Sequence, residues 1–135
     1  MSTTTRFPYR HKRIDEGVIP DPTVKIDILT KDGWRTTRFL IDSGADTTCL
    51  PLTTYAELLG FKPDSKKKIK VGGVEGRGVT AYPGEIKIKI GEKEISLRCY
   101  FLRSRTMPLL GRLDFWDKFN ILFNNKKKEI VLESI

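Results

Sequence analysis

The chain has one histidine, two cysteines and no glutamine in 135 residues. His11 sits in a basic N-terminal stretch, so Ser-His or Cys-His nucleophilic catalysis lacks its base and a zinc site lacks ligands. Cys49 and Cys99 form no Cys-x-x-Cys pair, and both lie in apolar, strand-like surroundings. They are expected to be reduced core thiols rather than a disulfide or a nucleophile. No apolar run approaches the ~18 residues of a spanning helix. The segment from Met1 to Arg13 has no apolar stretch of signal-peptide type, so a cytoplasmic location is the expectation. No repeat period appears. The lack of glutamine, beside plentiful lysine and glutamate, leans toward a thermophilic source.

What is present describes one soluble domain, with 39% apolar and 31% charged residues. Residues 1–20 are polar, basic and punctuated by Pro8 and Pro20, and are expected to be an extension; residues 21–135 are expected to form the folded domain. The net charge is +8, with local runs at Lys66-Lys67-Lys68 and Lys126-Lys127-Lys128. Each run lies in a turn-like stretch without interleaved aromatics, so solvated hairpin tips are favoured over a nucleic-acid surface.

Hydrophobic alternation then organises the chain. Val24 to Ile28 alternates with period two, Lys31-Asp32-Gly33 is a hairpin signal, and Trp34 to Ile41 is the expected returning strand. Thr54-Tyr55-Ala56-Glu57 matches a capping box, predicting a short helix from Thr54 as N-cap to Gly60 as its stop. Glu85 to Ile90 and Glu94 to Phe101 form a second hairpin about Gly91-Glu92-Lys93. Leu113, Phe115, Trp116 and Phe119 have helical spacing, predicting a second helix, with Asp114 and Asp117 on its solvent face rather than forming a metal pair. Ile121 to Phe123 and Ile130 to Leu132 make a terminal hairpin across Asn124-Asn125. The fold class is all-β, with one or two short helices.

The stretch from Phe39 to Leu50 carries the chemistry. An apolar strand runs into Asp42-Ser43-Gly44, and burying a carboxylate beside such a strand is costly unless hydrogen bonds or a second charge compensate. Only one Asp-Ser-Gly occurs, so a mechanism needing two carboxylates takes its second from another copy of the chain. Further on, Val71-Gly72-Gly73-Val74-Glu75-Gly76-Arg77-Gly78 packs glycines between alternating segments, as a hairpin would. It is not a phosphate loop, since no Gly-x-x-x-x-Gly-Lys-Ser/Thr occurs and no helix pattern follows. Leu109-Leu110-Gly111-Arg112 is a second apolar run ending in glycine.

These three features, in this order, resemble the retropepsin-like aspartic proteases over roughly residues 22–133. The resemblance implies a closed antiparallel β-barrel with a flap hairpin, active as a homodimer on peptide or unfolded-protein substrates, with no cofactor, no metal and no membrane or nucleic-acid partner. It makes Asp42 the catalytic acid, one per subunit. Ser43, Gly44, Ala45 and Asp46 would form the active-site loop, with Gly44 beside the bound peptide. The Ser43 hydroxyl would bond across the two loops, or serve as a turn hydroxyl. Asp46 would pair with Arg112 beneath the site, unless it is simply solvated. Leu110, Gly111 and Arg112 would support the loop. Gly72, Gly73, Val74, Glu75 and Gly76 would form the flap, with Val74 at its tip. Thr47 and Cys49 would line substrate pockets, although Cys49 serves equally as core packing.

Two departures stand out. Glu75 occupies a position where retroviral flaps commonly carry glycine. The long basic N-terminus also differs from the chain ends through which retroviral proteases dimerise, and Glu129 to Glu133 could pair as a strand in such a dimer sheet, with its partner there unassigned. These features leave a second possibility open, a retropepsin-like fold kept as a peptide-binding or dimerisation module with little turnover.

Overall fold

The computed structural model describes residues 2–72 and 78–135. Among these the chain forms twelve strands, one α-helix and one short 3-10 turn. The strands are β1 (Thr4–Pro8), β2 (Arg10–Ile14), β3 (Gly17–Asp21), β4 (Thr23–Thr30), β5 (Gly33–Ile41) and β6 (Thr48–Pro51). After helix α1 (Leu52–Leu59) come β7 (Ile69–Val71), β8 (Val79–Ile90), β9 (Lys93–Leu102), β10 (Leu109–Leu110), β11 (Phe119–Asn124) and β12 (Glu129–Ser134).

Seven strands form the main sheet in the order β4-β5-β10-β6-β9-β8-β7. β8 also pairs with β4 through Asp27↔Lys89 and Ile28↔Ile88, so the run of neighbours returns to its start and wraps a core. Most pairings are antiparallel, whereas β10 with β5 and β6 with β9 run parallel. The alternation in sequence produces this enclosure. Val24, Ile26 and Ile28 of β4, Phe39 and Ile41 of β5, Ile86, Ile88 and Ile90 of β8, and Ile95, Leu97 and Phe101 of β9 are buried, with polar residues between them facing outward. Burying each large aliphatic side chain contributes roughly 1.5–3 kcal/mol. Cys49 and Cys99 are buried and unbonded, and burial, reinforced by Cys49 and Glu85, pushes the Cys99 thiol up to about 12.

A second sheet closes one end in the order β1-β12-β11. β12 is its central strand, taking β11 as the hairpin partner expected from sequence and β1 on its other side, Thr4↔Glu133 to Pro8↔Glu129. Phe7 and Ile121 of this sheet, and Tyr9 just beyond β1, pack against the core. Between β1 and β4 in sequence, β2 and β3 form a two-stranded ribbon joined by Asp15-Glu16, with β2 exposed along its whole length.

Two local expectations are corrected. Helix α1 begins at Leu52, two residues before Thr54, with Pro51 as N-cap and no side-chain cap. Burial of Leu52 fixes the start, and the φ near −60° of Pro51 suits a helix entry. The stop at Gly60 is as expected, in the left-handed conformation and donating back to Ala56 and Glu57. No second α-helix forms over 113–119; only Trp116–Lys118 makes a 3-10 turn. Asp114 has a φ of 66°, outside the helical region, which cuts the expected helix at its first turn.

Candidate active site

β5 carries the chain through the core and ends at Ile41, so Asp42 is the first residue beyond a strand pinned on both sides. On one side β5 pairs with β4, and the Ile41 N–H donates to the Pro22 carbonyl (2.9 Å). On the other it runs parallel to β10, Leu40 beside Leu109 and Ile41 beside Leu110. The Leu40 N–H donates to Pro108 and the Asp42 N–H to Leu110 (2.9 and 3.1 Å). The backbone bearing the carboxylate is therefore fixed by neighbours almost seventy residues away in sequence.

Beyond Asp42 the chain turns back on itself. The Ala45 N–H donates to the Asp42 carbonyl (3.2 Å), and the Gly44 N–H donates to Asp42 Oδ1 (2.9 Å). That bond orients the carboxylate. A Cβ on Gly44 would lie 3.4 Å from the same oxygen. Asp42 is half-buried, while Ser43 and Gly44 are exposed. The turn that follows the carboxylate is thus exposed.

The segment after β10 clasps the loop from beneath. The Arg112 N–H donates to the Ala45 carbonyl (3.0 Å) and the Leu113 N–H to the Asp46 carbonyl (2.8 Å). The Gly111 N–H donates to the fully buried Thr48 hydroxyl (3.1 Å). Gly111 must lack a side chain, because a Cβ there would stand 2.4 Å from the Thr47 carbonyl carbon. The Arg112 guanidinium pairs with the Asp46 carboxylate. Asp46 is 86% exposed, so this ion pair adds little stability and serves chiefly to set orientation.

The structure therefore brings Asp42 through Asp46 together with Leu110, Gly111 and Arg112. Thr47 is half-buried, and its carbonyl accepts from Cys49 Sγ (3.4 Å). Burial, and then the charge of Asp42, push the Cys49 thiol up. Gly72 follows β7 and is exposed. Gly73, Val74, Glu75 and Gly76 lie outside the described residues.

Sequence reasoning missed two parts. Thr48 supplies a buried acceptor for Gly111, a role set by a residue 63 positions away. Asp114 does not lie on a solvent face of a helix. Its Oδ2 accepts from the Arg98 backbone N–H and Nε, and its Oδ1 from Nη2 (2.9, 2.9 and 2.8 Å). Those bonds hold its carboxyl well below the usual range. The pair ties β9 to the segment that follows Arg112. Among the described residues no cluster of three metal-ligating side chains occurs.

Residues 24–113 match the family model described as aspartyl protease. In fold the chain is similar to a retropepsin-like aspartic protease from Rickettsia conorii, with a TM-score of 0.62 and 20% identity over 99% of this chain and 93% of that one. It is also similar to EIAV protease complexed with the inhibitor HBY-793, with a TM-score of 0.47 and 26% identity over 68% of this chain and 82% of that one. No curated protein matches the chain in sequence.

Proposed function

We propose that this chain, which belongs to the aspartyl protease family and has a retropepsin-like fold, is an endopeptidase that works as a homodimer, each subunit contributing Asp42 to one active site. The observation that carries the reading is the carboxylate itself. Asp42 is held by two backbone bonds, to Leu110 and from Ala45, its carboxylate is oriented by the Gly44 amide, and it stays half-exposed beside the exposed Ser43 and Gly44.

Two such carboxylates brought a few ångströms apart cannot both ionise, so they share one proton. The ionised partner takes a proton from a water molecule, and the protonated one donates to the scissile carbonyl. The attacked carbon becomes a tetrahedral gem-diol, which collapses with proton transfer to the leaving amine. No covalent enzyme intermediate forms. The two apparent pKa values belong to the pair rather than to either chain.

Each supporting residue has a part in this reading. Ser43 bonds across to the facing loop, and Arg112 with Asp46 holds the floor on which the Asp42 loop rests. Gly72 to Gly76 close over the peptide and exclude water. An extended substrate lies between flap and floor as an added strand, bound through its main chain, with pockets such as those at Thr47 and Cys49 reading alternate side chains.

A surface for the second chain is suggested by β11. Phe119-Asn120-Ile121-Leu122-Phe123-Asn124 forms an edge of the terminal sheet, and it contains no charge and no proline. Leu122 is 54% and Phe123 42% exposed. Edges of soluble proteins are ordinarily protected by such residues, and a bare one pairs readily with another strand. An antiparallel meeting of two β11 strands about a two-fold axis fits this edge.

The test is cleavage of a peptide library between acidic and neutral pH. Cleavage is expected from the wild-type chain and not from Asp42→Ala or Asp42→Asn. Turnover unchanged in both variants would remove Asp42 from the chemistry, and peptide binding without turnover would leave a binding module.

A further inference from the structure

At the root of the β2–β3 ribbon, three cations converge on a recess. Arg10 opens the ribbon, and Lys25 of β4 stands directly across from Arg38 of β5. Like charges facing each other across a strand pair are destabilising. Arg10, Lys25 and Arg38 line a cavity of about 160 Å³ with Phe7, Pro8 and Tyr9 as walls. Among the described residues none of the three cations has a carboxylate within ion-pair distance. Asp21, cross-strand from Arg10, is an acid whose charge acts on Arg38. Asp27, next along the same face of β4, accepts from the Thr36 hydroxyl and sits opposite Lys89. Burial, and then the Arg10 charge, press the Arg38 pKa down, as expected where positive charge is in excess.

The recess is built rather than incidental. Arg38 Nη1 donates to the hydroxyl of Thr23, itself buried (2.8 Å), which fixes the guanidinium plane. Its remaining N–H groups can serve a planar oxyanion. The recess also has a defined relation to Asp42. Thr37, Phe39 and Ile41 of β5 point into the core, so Arg38 and Leu40 occupy the opposite face, and Asp42 continues that alternation at the strand end. Four residues of strand place Arg38 about 13 Å from Asp42, a span that about four extended peptide residues cover.

We propose that this recess is a carboxylate-binding subsite, in which Arg10, Lys25 and Arg38 receive an acidic side chain of a peptide about four residues from the bond held at Asp42. The assignment to a substrate rests on the endopeptidase reading, whereas the carboxylate site itself rests on the three cations. A peptide carboxylate suits the recess better than a nucleic-acid backbone does. The cations close on one cavity rather than tracking a groove, and Phe7 and Tyr9 pack into the core instead of offering a platform for bases.

The test measures fluorescence anisotropy of labelled peptides on the Asp42→Asn protein, which binds without cleaving. One glutamate is placed in turn at each of several positions and compared with its glutamine isostere. At one position the glutamate peptide is expected to bind about tenfold more tightly. That preference is expected to vanish in Arg38→Gln and in Lys25→Gln, both checked for an unchanged circular dichroism spectrum. Equal affinity of the two peptides, or a preference surviving in both variants, overturns the subsite. So does a single-stranded oligonucleotide that displaces the glutamate peptide and loses affinity in the same variants, since it assigns the recess to nucleic acid. Asp42-dependent cleavage without any glutamate preference overturns the subsite while leaving the endopeptidase reading intact. Glutamate-selective binding by a chain that cleaves nothing keeps the carboxylate site and removes the endopeptidase reading.

Discussion

Gly111 lies against Thr47 so closely that a methyl group on it would stand 2.4 Å from the Thr47 carbonyl carbon and 2.6 Å from its oxygen. The obstacle is backbone on both sides, so no side chain can swing away. Gly111→Ala is therefore expected to cost about 2 kcal/mol or more, read as a lower urea midpoint with an unchanged slope. Activity should fall further than stability does, because the displaced segment is the one that clasps the Asp42 loop. An alanine variant as stable as wild type would show that the two segments are not packed in this way.

The Thr48 hydroxyl is the acceptor for that same glycine amide. Thr48→Val keeps the shape and removes the acceptor, leaving a buried N–H without a partner. A loss of about 1–3 kcal/mol is expected, with Thr48→Ser retaining most of the difference. Chemical denaturation of the three proteins checks this, and equal stability of the valine and serine variants would contradict it.

Asp114 is held ionised by Arg98 through three hydrogen bonds, so its folded pKa lies below its unfolded value of about 3.9. Such a group stabilises the fold above the unfolded pKa, and the contribution is lost as pH falls through the folded pKa. Asp114→Asn should be destabilised at neutral pH, with its deficit shrinking once the pH drops below roughly 4. Thermal melts of both proteins across that range would reveal a constant deficit if the carboxylate were not the cause.

Legibility in the sequence followed local pattern. β4, β8 and β9 alternate apolar with polar residues and were readable because one face had to be buried, whereas β5, β11 and β12 were readable as short apolar runs flanking the turns Lys31-Asp32-Gly33 and Asn124-Asn125. β1 has Phe7 as its one apolar residue and pairs with a strand more than 120 positions away, so nothing local announced it. Arg10-His11-Lys12-Arg13 has no apolar alternation at all, yet it forms β2. The spacing of Leu113, Phe115, Trp116 and Phe119 imitated a helix. In the structure Phe115 and Phe119 are buried while Leu113 and Trp116 are exposed, and Asp114 adopts the left-handed backbone that lets Arg98 reach it. At the site, Asp42 and the Asp46–Arg112 pair could be named from motif and resemblance. Thr48 could not, because its role exists only once Gly111 is placed beside it.

The bare β11 edge gives a prediction for assembly. Leu122→Lys and Phe123→Lys place charge on exposed positions and should leave the fold intact. Both variants are expected to sediment as monomers at concentrations where the wild-type chain is dimeric, and to lose peptide cleavage together with the dimer. Dimers that persist in both variants would move the interface elsewhere.

The pairing of two Asp42 carboxylates is tested most directly by mixing subunits. Wild-type chain and Asp42→Asn chain are combined in equal amounts at fixed total concentration, allowed to exchange, and assayed for peptide cleavage. If each active site needs an Asp42 from both chains, only wild-type pairs work, and activity should fall to about a quarter of the unmixed value. A fall to about one half would mean that each chain acts with its own Asp42 alone, and would contradict the shared site.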